Sequence, residues 1–343
     1  MNQEKILLVE DGCIQKVGET LRTGQITGKL LYVSDSVVDS LFGAIVHRQL
    51  EEIGFVESQT ITQNTISCAV SIAESIIAAD IDCIIGMGGG KVLDVCKYAA
   101  FISKVPFLSI PTTLANDGIA SPIAVLKSQD GRPKSLGCVP PAMLLLDTEL
   151  ILKCPPQLIK AGIGDTISNY MALLDWNLAC ARGMEKPNGY AYLMSQASLD
   201  GLMNTQYSSI CSGFVKVLAD SLVMSGIAMD FAGSSRPVSG SEHLFSHALD
   251  YYCKISNFHG IQVALGTVAV LKLAGMDYSR PLRYLRQFEV DINPMRIGID
   301  RETFVICMQK ATFMRKNRYT YLHELDLSDT VLEKLYHELM EEL

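Results

Sequence analysis

A chain of 343 residues with 48% apolar side chains is long enough for two domains, each with its own core, and falls outside the disordered class. Its 29 Lys and Arg against 37 Asp and Glu leave a net charge of −8, which gives no basic footprint for nucleic acid. The ten cysteines are scattered and form no Cys-x-x-Cys pair, so they read as reduced core thiols of a cytoplasmic protein, not as disulfides or metal thiolates.

The opening MNQEKILLVEDG has one lysine, a short apolar run and no small-residue cleavage site, and is not expected to be a signal peptide. KLLYVSD at 29–35 reads as a buried strand, and residues 36–53 carry a helical spacing in which Val37, Leu41, Ile45 and Leu50 share a face. A second helical spacing covers 66–79. DCIIGMGGG at 82–90 is a strand running into glycines, KVLDVCKYAAF at 91–101 returns to helical periodicity, and PFLSIPTT at 106–113 is a strand stopped by proline. One more strand spans 142–146. Such alternation of apolar strands and helices predicts a parallel sheet covered on both faces.

Beyond residue 150 strand-like alternation nearly vanishes. Long apolar-periodic segments at 157–182, 190–232, 240–252, 259–276, 301–316 and 328–343 predict an all-helical second domain, residues 151–343, after an α/β domain of residues 1–150. The stretch 214–233 comes nearest to a membrane span, but Lys216, Asp220 and Asp230 interrupt it, so a buried helix is expected and no span.

GMGGG at 86–90 has the strand-to-helix setting of a dinucleotide loop, where Gly88, Gly89 and Gly90 let backbone N–H groups approach a pyrophosphate. A tight strand-to-helix turn needs glycine as well, so both readings stand. Asp94, in the first turn of the next helix, either braces that loop or is an exposed helix-start acid. Asp35 ends its strand, where an acid can hydrogen-bond an adenosine ribose or cap the following helix. Farther on, GIGDTISN at 162–169, SGSEHLFSH at 239–247 and NFHG at 257–260 supply Asp165, His243 and His259. One carboxylate and two imidazoles are the ligand types that a catalytic zinc takes. His247 shares the helix face of His243 and is either a further metal group, a proton relay or a buried structural histidine. Glu242 points away from that face and reads as a supporting group behind the ligands or a packing group, not as a base.

SIPTTLANDGIASP at 109–122 adds Thr112, Thr113, Asp117 and Ser121. With these strings the chain resembles the iron-containing alcohol dehydrogenase and dehydroquinate-synthase-like superfamily over nearly its whole length. Within it, NDGIASP, GIGDTISN, RPVSGSEHLFSHALD, HGIQVALG and RYTYL are most similar to the sn-glycerol-1-phosphate dehydrogenase family. The resemblance implies an α/β dinucleotide-binding domain followed by a helical metal-binding domain, with the active site in the cleft between them. It implies Asp165, His243 and His259 as metal ligands, and Gly88, Gly89, Thr112, Thr113 and Ser121 as contacts to NAD(H) or NADP(H). Asp117 would lie beside the nicotinamide and substrate, with His247 as relay. Where iron enzymes of the superfamily carry a fourth ligand, a histidine one turn after the aspartate, this chain has Asn169, which favours a three-ligand zinc site.

The implied reaction interconverts dihydroxyacetone phosphate and sn-glycerol 1-phosphate. A polyol or amino-polyol dehydrogenase of the same fold and a dehydroquinate-synthase-like lyase are the alternatives. The partner is a small molecule, and a homo-oligomer is expected. A substrate phosphate needs a cationic pocket; Arg236, Lys254, Arg315, Lys316 and Arg318 are the candidates, each expected to face solvent.

Overall fold

Six segments of the N-terminal half become strands of one sheet. In a computed structural model that describes residues 5–253 and 257–343, β1 (Ile6–Glu10), β2 (Gly28–Ser34), β3 (Gly54–Thr60), β4 (Cys83–Gly88) and β5 (Phe107–Pro111) join β8 (Met143–Asp147) in the order β1-β8-β5-β4-β2-β3. Every pairing in it is parallel. Parallel strands need crossovers, and helices supply most of them: α1 (Val17–Thr23), α2 (Ser36–Val38), α3 (Ala44–Glu51), α4 (Ile66–Ala79) and α5 (Gly90–Ser103), with α6 (Thr148–Ile151) after the last strand. β6 (Ile123–Lys127) and β7 (Pro133–Gly137) form a separate antiparallel hairpin. Leu30, Tyr32, Ile85, Met87, Leu108 and Leu145 fill the core on one sheet face, against Val17, Leu21, Val46 and Leu50 from the helices.

The helix face expected over 36–53 is partly corrected. Val37 and Leu41 are exposed, and the chain buries Val46 and Leu50 with Val38, Phe42 and Ile45 packed beside them. A π-helical turn at Asp39–Gly43 is the reason: one extra residue per turn rotates the apolar stripe.

The chain divides into two compact units, residues 1–155 with 211–226, and residues 156–210 with 227–343. The second is built from α7 (Pro156–Ala181), α8 (Gly189–Met203), the later residues of α9 (Ser212–Ala232), α10 (Ser241–Tyr252), α11 (His259–Leu273), α12 (Ser279–Gln287), α13 (Arg301–Ala311) and α14 (Asp329–Glu342). Among its described residues there is no strand. The helical segment expected over 190–232 is two helices, broken at 204–211. The sequence reading has no helix at α12, a short one that sets Arg280, Arg283 and Arg286 against buried Leu282, Tyr284 and Leu285. No helix of the described residues is long and apolar enough to cross a membrane.

Candidate active site

Three helices of the second unit meet through glycines. A Cβ on Gly164 of α7 would lie 2.9 Å from the carbonyl carbon of Gly260 on α11, and one on Gly266 of α11 would lie 2.9 Å from Cα of Glu242 on α10. These backbone-to-backbone approaches bring their neighbours Asp165, His243 and His259 together, so that one ligand atom from each lies within 4.8 Å of the others. Nε2 of His259 is 3.7 Å from Asp165 Oδ1, and the rings of His243 and His259 are 4.9 Å apart between centroids.

The second nitrogen of each imidazole is already engaged. His243 Nδ1 sits 2.8 Å from Glu242 Oε1, and His259 Nδ1 sits 3.0 Å from Ser246 Oγ, whose hydroxyl donates to Gln262 Oε1 at 2.6 Å. That leaves each Nε2 for a ligand. Burial, with the charges of Arg315 and Arg318, pushes the His243 imidazolium down to about 3, and burial with the charge of His243 lowers His259 in the same direction. Both rings are therefore neutral at physiological pH. A carboxylate and two neutral imidazoles, each ring oriented through its far nitrogen, fit a three-ligand metal centre. Burial also pushes the Glu242 carboxyl up to about 7, and its Oε2 has no hydrogen-bond partner among the described residues.

His247 lies one turn from His243, with ring centroids 6.2 Å apart, and supplies no atom to the cluster of three. Burial, then Arg315 and the neighbouring histidines, drives its proton affinity well below the ordinary value. Asn169 is buried, and its Nδ2 donates to Ser198 Oγ at 3.4 Å.

In the first unit, Gly88 pairs with Pro111 across β4 and β5, and the Thr112 N–H donates to the Gly88 carbonyl at 3.0 Å. The glycine loop and Thr112–Thr113 thus leave the sheet at the same edge. A Cβ on Gly88 would meet Val92 at 2.6 Å, so this glycine serves helix packing. A Cβ on Gly89 would touch only Thr113, and one on Gly90 would meet nothing within 4 Å. Gly89 and Gly90 therefore stand before open space at the N-terminus of a 14-residue helix, a setting that suits a pyrophosphate. Asp35 caps α2, its Oδ1 accepting from Val37 and Val38 N–H at 3.0 Å each.

Asp94 is largely buried, not exposed. Its Oδ2 accepts from Val125 N–H at 3.1 Å and its Oδ1 faces Lys97 Nζ at 3.3 Å, so it braces the 117–125 segment and not the glycine loop itself. Lys97, which the sequence reading passed over, is 1% exposed and donates to the carbonyls of Gly118 and Ile123 at 2.6 and 2.7 Å. A lysine three residues after an aspartate inside the apolar helix VLDVCKYAA was its readable signal. Ser121 is buried, its N–H donating to the Asp117 carbonyl at 3.1 Å. On α9, Gly226 backs this loop, where a Cβ would come 2.7 Å from the Ala120 carbonyl carbon. Burial raises the Asp117 carboxyl, Lys97 pulls it back and Asp94 raises it further.

The expectation that all the basic candidates face solvent is overturned. Arg236 and Arg318 are buried, Arg315 is half-buried and Lys316 is exposed, while Lys254 lies outside the described residues.

The fold matches solved structures along its length. Glycerol dehydrogenase from Schizosaccharomyces pombe superposes with a TM-score of 0.79 at 18% identity, covering 99% of this chain and 89% of that one. Residues 8–155 match the family model described as iron-containing alcohol dehydrogenase. The fold is thus the one shared with glycerol dehydrogenase. Within it, the chain belongs to the glycerol-1-phosphate dehydrogenase family. It is 34% identical to glycerol-1-phosphate dehydrogenase [NAD(P)+] of Methanothrix thermoacetophila over 91% of this chain and 88% of the relative. It is 35% identical to the protein of that name from Thermococcus kodakarensis over 96% and 94%.

Proposed function

We propose that this protein is a zinc-dependent, NAD(P)-linked oxidoreductase that interconverts dihydroxyacetone phosphate and sn-glycerol 1-phosphate. The observation that carries the reading is the convergence of Asp165, His243 and His259 in a chain 34% identical to relatives of that name. In this reading Asp165 Oδ1 and the two Nε2 atoms would hold the metal. Glu242 and Ser246 would fix the imidazole rings, and Asn169, a poor ligand, would add no fourth one.

When bound, the metal supplies Lewis-acid polarisation of the substrate's secondary oxygen and the nicotinamide exchanges a hydride with the carbon that bears it. The chain's own task is binding, orientation and proton handling. Gly89 and Gly90 with the N-terminus of α5 would receive the pyrophosphate, flanked by Thr113. Asp35 would reach a ribose hydroxyl through Oδ2, the oxygen its capping bonds leave. Lys97 and Asp94 hold the 117–123 loop, so that Asp117 and Ser121 keep one conformation toward nicotinamide and substrate. The raised Asp117 carboxyl can carry a proton nearer neutrality than an ordinary aspartate, and His247, neutral by burial, would relay one in the second unit.

The ten free thiols support a reducing, cytoplasmic setting. A homo-oligomer belongs to the same reading, favoured by the exposed Tyr190–Phe231 ring pair. The test is oxidation of NADH and of NADPH by the zinc-loaded protein with dihydroxyacetone phosphate and with dihydroxyacetone. Turnover of the phosphate is expected. Turnover of free polyols or their ketones alone would replace this reading with a polyol dehydrogenase.

A further inference from the structure

Three guanidinium groups gather in the second unit with too little negative charge to balance them. Arg315 Nη1 and Arg318 Nη2 both donate to one oxygen, Ser235 Oγ, at 2.9 Å each. Arg318 Nη1 donates to the Ser239 carbonyl at 2.5 Å. Arg236, 2% exposed, spends Nε on Glu185 Oε2 at 3.0 Å and Nη1 on the Tyr319 carbonyl at 2.8 Å, and its Nη2 has no partner among the described residues. Glu185 is thus the carboxylate paired with this group, and it is paired with Arg236. Neither Arg315 nor Arg318 has a carboxylate within ion-pair distance among the described residues. Two cations sharing a neutral hydroxyl repel each other, and an anion that joins them relieves the repulsion.

The place of this pair decides which anion. Arg318 Nη1 bonds the Ser239 carbonyl, two residues before α10 opens at Ser241 with His243 in its first turn, so the pair borders the metal triad. Each guanidinium has five N–H donors, of which the protein takes one from Arg315 and two from Arg318. Ser235 Oγ accepts from both, which fills its lone pairs and leaves its O–H to donate. Two forks and a hydroxyl match the oxygens and the double charge of a phosphate monoester. We propose that Arg315 and Arg318, aligned by Ser235, receive the substrate's phosphate, with Arg236 positioning the segment that carries Ser235. This deepens the reading of the substrate as dihydroxyacetone phosphate and rests on it.

Arg315→Met, Arg315→Lys and Arg318→Met test it. For Arg315→Met the ratio of kcat/KM for dihydroxyacetone phosphate to that for dihydroxyacetone should fall about 10- to 100-fold, the range for bonds to charged groups. Arg315→Lys should recover part of the loss. Calorimetry on the metal-free protein should show inorganic phosphate binding to wild type and weakened binding to Arg315→Met. In wild type, inorganic phosphate should compete with dihydroxyacetone phosphate, a readout that needs no variant to fold. An equal loss for both ketones, or unchanged phosphate binding, overturns the assignment. A raised KM for NADH with an unchanged ketone ratio overturns it too, by giving the pair to the dinucleotide's phosphates. If wild type turns over dihydroxyacetone phosphate and the variants keep the ratio, this inference falls and the reaction stands. If wild type binds phosphate through Arg315 yet ignores that substrate, the reaction falls and the anion site stands.

Discussion

Replacing Gly164 with alanine should disable the metal site by moving helices, without touching a proposed ligand. The new Cβ would lie 2.9 Å from the Gly260 carbonyl carbon and 3.0 Å from Ala264 Cβ, with the Gly260 oxygen nearer still. Carbon atoms are at ease at about 3.5–4.0 Å, so α7 and α11 must part by roughly 0.5–1 Å. The opposing atoms belong to backbone and a Cβ, and neither can rotate away. Overpacking of this kind costs about 1–3 kcal/mol, against which alanine returns about 1 kcal/mol of helix propensity. The expected net loss is about 0–2 kcal/mol. Asp165 follows Gly164 and His259 precedes Gly260, so the parting falls on the 3.7 Å separation between their ligand atoms. Zinc affinity should drop on the order of 10- to 100-fold, the size of change that supporting-shell disruption produces. Gly189→Ala is the control, because a Cβ there meets nothing within 4 Å. Urea midpoints give the stability and chelator competition gives the affinity. Wild-type values for both in Gly164→Ala, or an equal loss in Gly189→Ala, would refute the packing argument.

Three further expectations follow from buried charge. Glu242→Gln weakens the acceptor 2.8 Å from His243 Nδ1, and zinc affinity by chelator competition should fall about 10-fold with the far-ultraviolet circular dichroism unchanged; an unchanged affinity would remove Glu242 from the site. Lys97→Met leaves the Gly118 and Ile123 carbonyls without their ammonium donor and should cost about 2–4 kcal/mol while raising the KM for NADH; a variant with wild-type KM would show that the 117–123 loop does not need this tie. Burial, with the charge of Glu242, pushes the Asp175 carboxyl up to about 7 against the hydrogen bonds from Ser241 and Tyr321. The sign is that of a raised acid: the folded state holds a proton that the unfolded state has lost. Its stabilisation is therefore complete below an unfolded pKa of about 3.9 and is lost as pH rises through about 7. Asp175→Asn should flatten that slope in urea midpoints measured from pH 5 to 8, and parallel profiles for the two proteins would contradict it.

The legible parts of the fold were those where one period dominates. β4 with its glycines and α5 could be read because an apolar run gives way to GMGGG and then to helical spacing. β3 was missed because its burial is mixed and offers no clean alternation. The β6–β7 hairpin carried an Asp130-Gly131 turn signal that the reading did not use. Asp165, His243 and His259 lie far apart in the chain, and only their surrounding strings joined them; spacing alone holds no information on helices that cross through Gly164 and Gly266. The basic residues failed for a different reason. Arg236 and Arg318 sit in SSRPVS and KNRYTY, which have no periodicity, so the ordinary expectation that arginine faces water prevailed. Their burial depends on Ser235, Ser239 and Tyr319 meeting from separate segments.

The most direct test of the central claim is a paired measurement on His259→Ala: zinc per protomer by elemental analysis, and dihydroxyacetone-phosphate-dependent NADH oxidation on the same sample. The account predicts that both collapse together while the protein stays folded, because Asp165 and His243 alone cannot hold the ion. Full zinc with full activity would contradict it and move the metal, and the reaction with it, away from the Asp165–His243–His259 cluster.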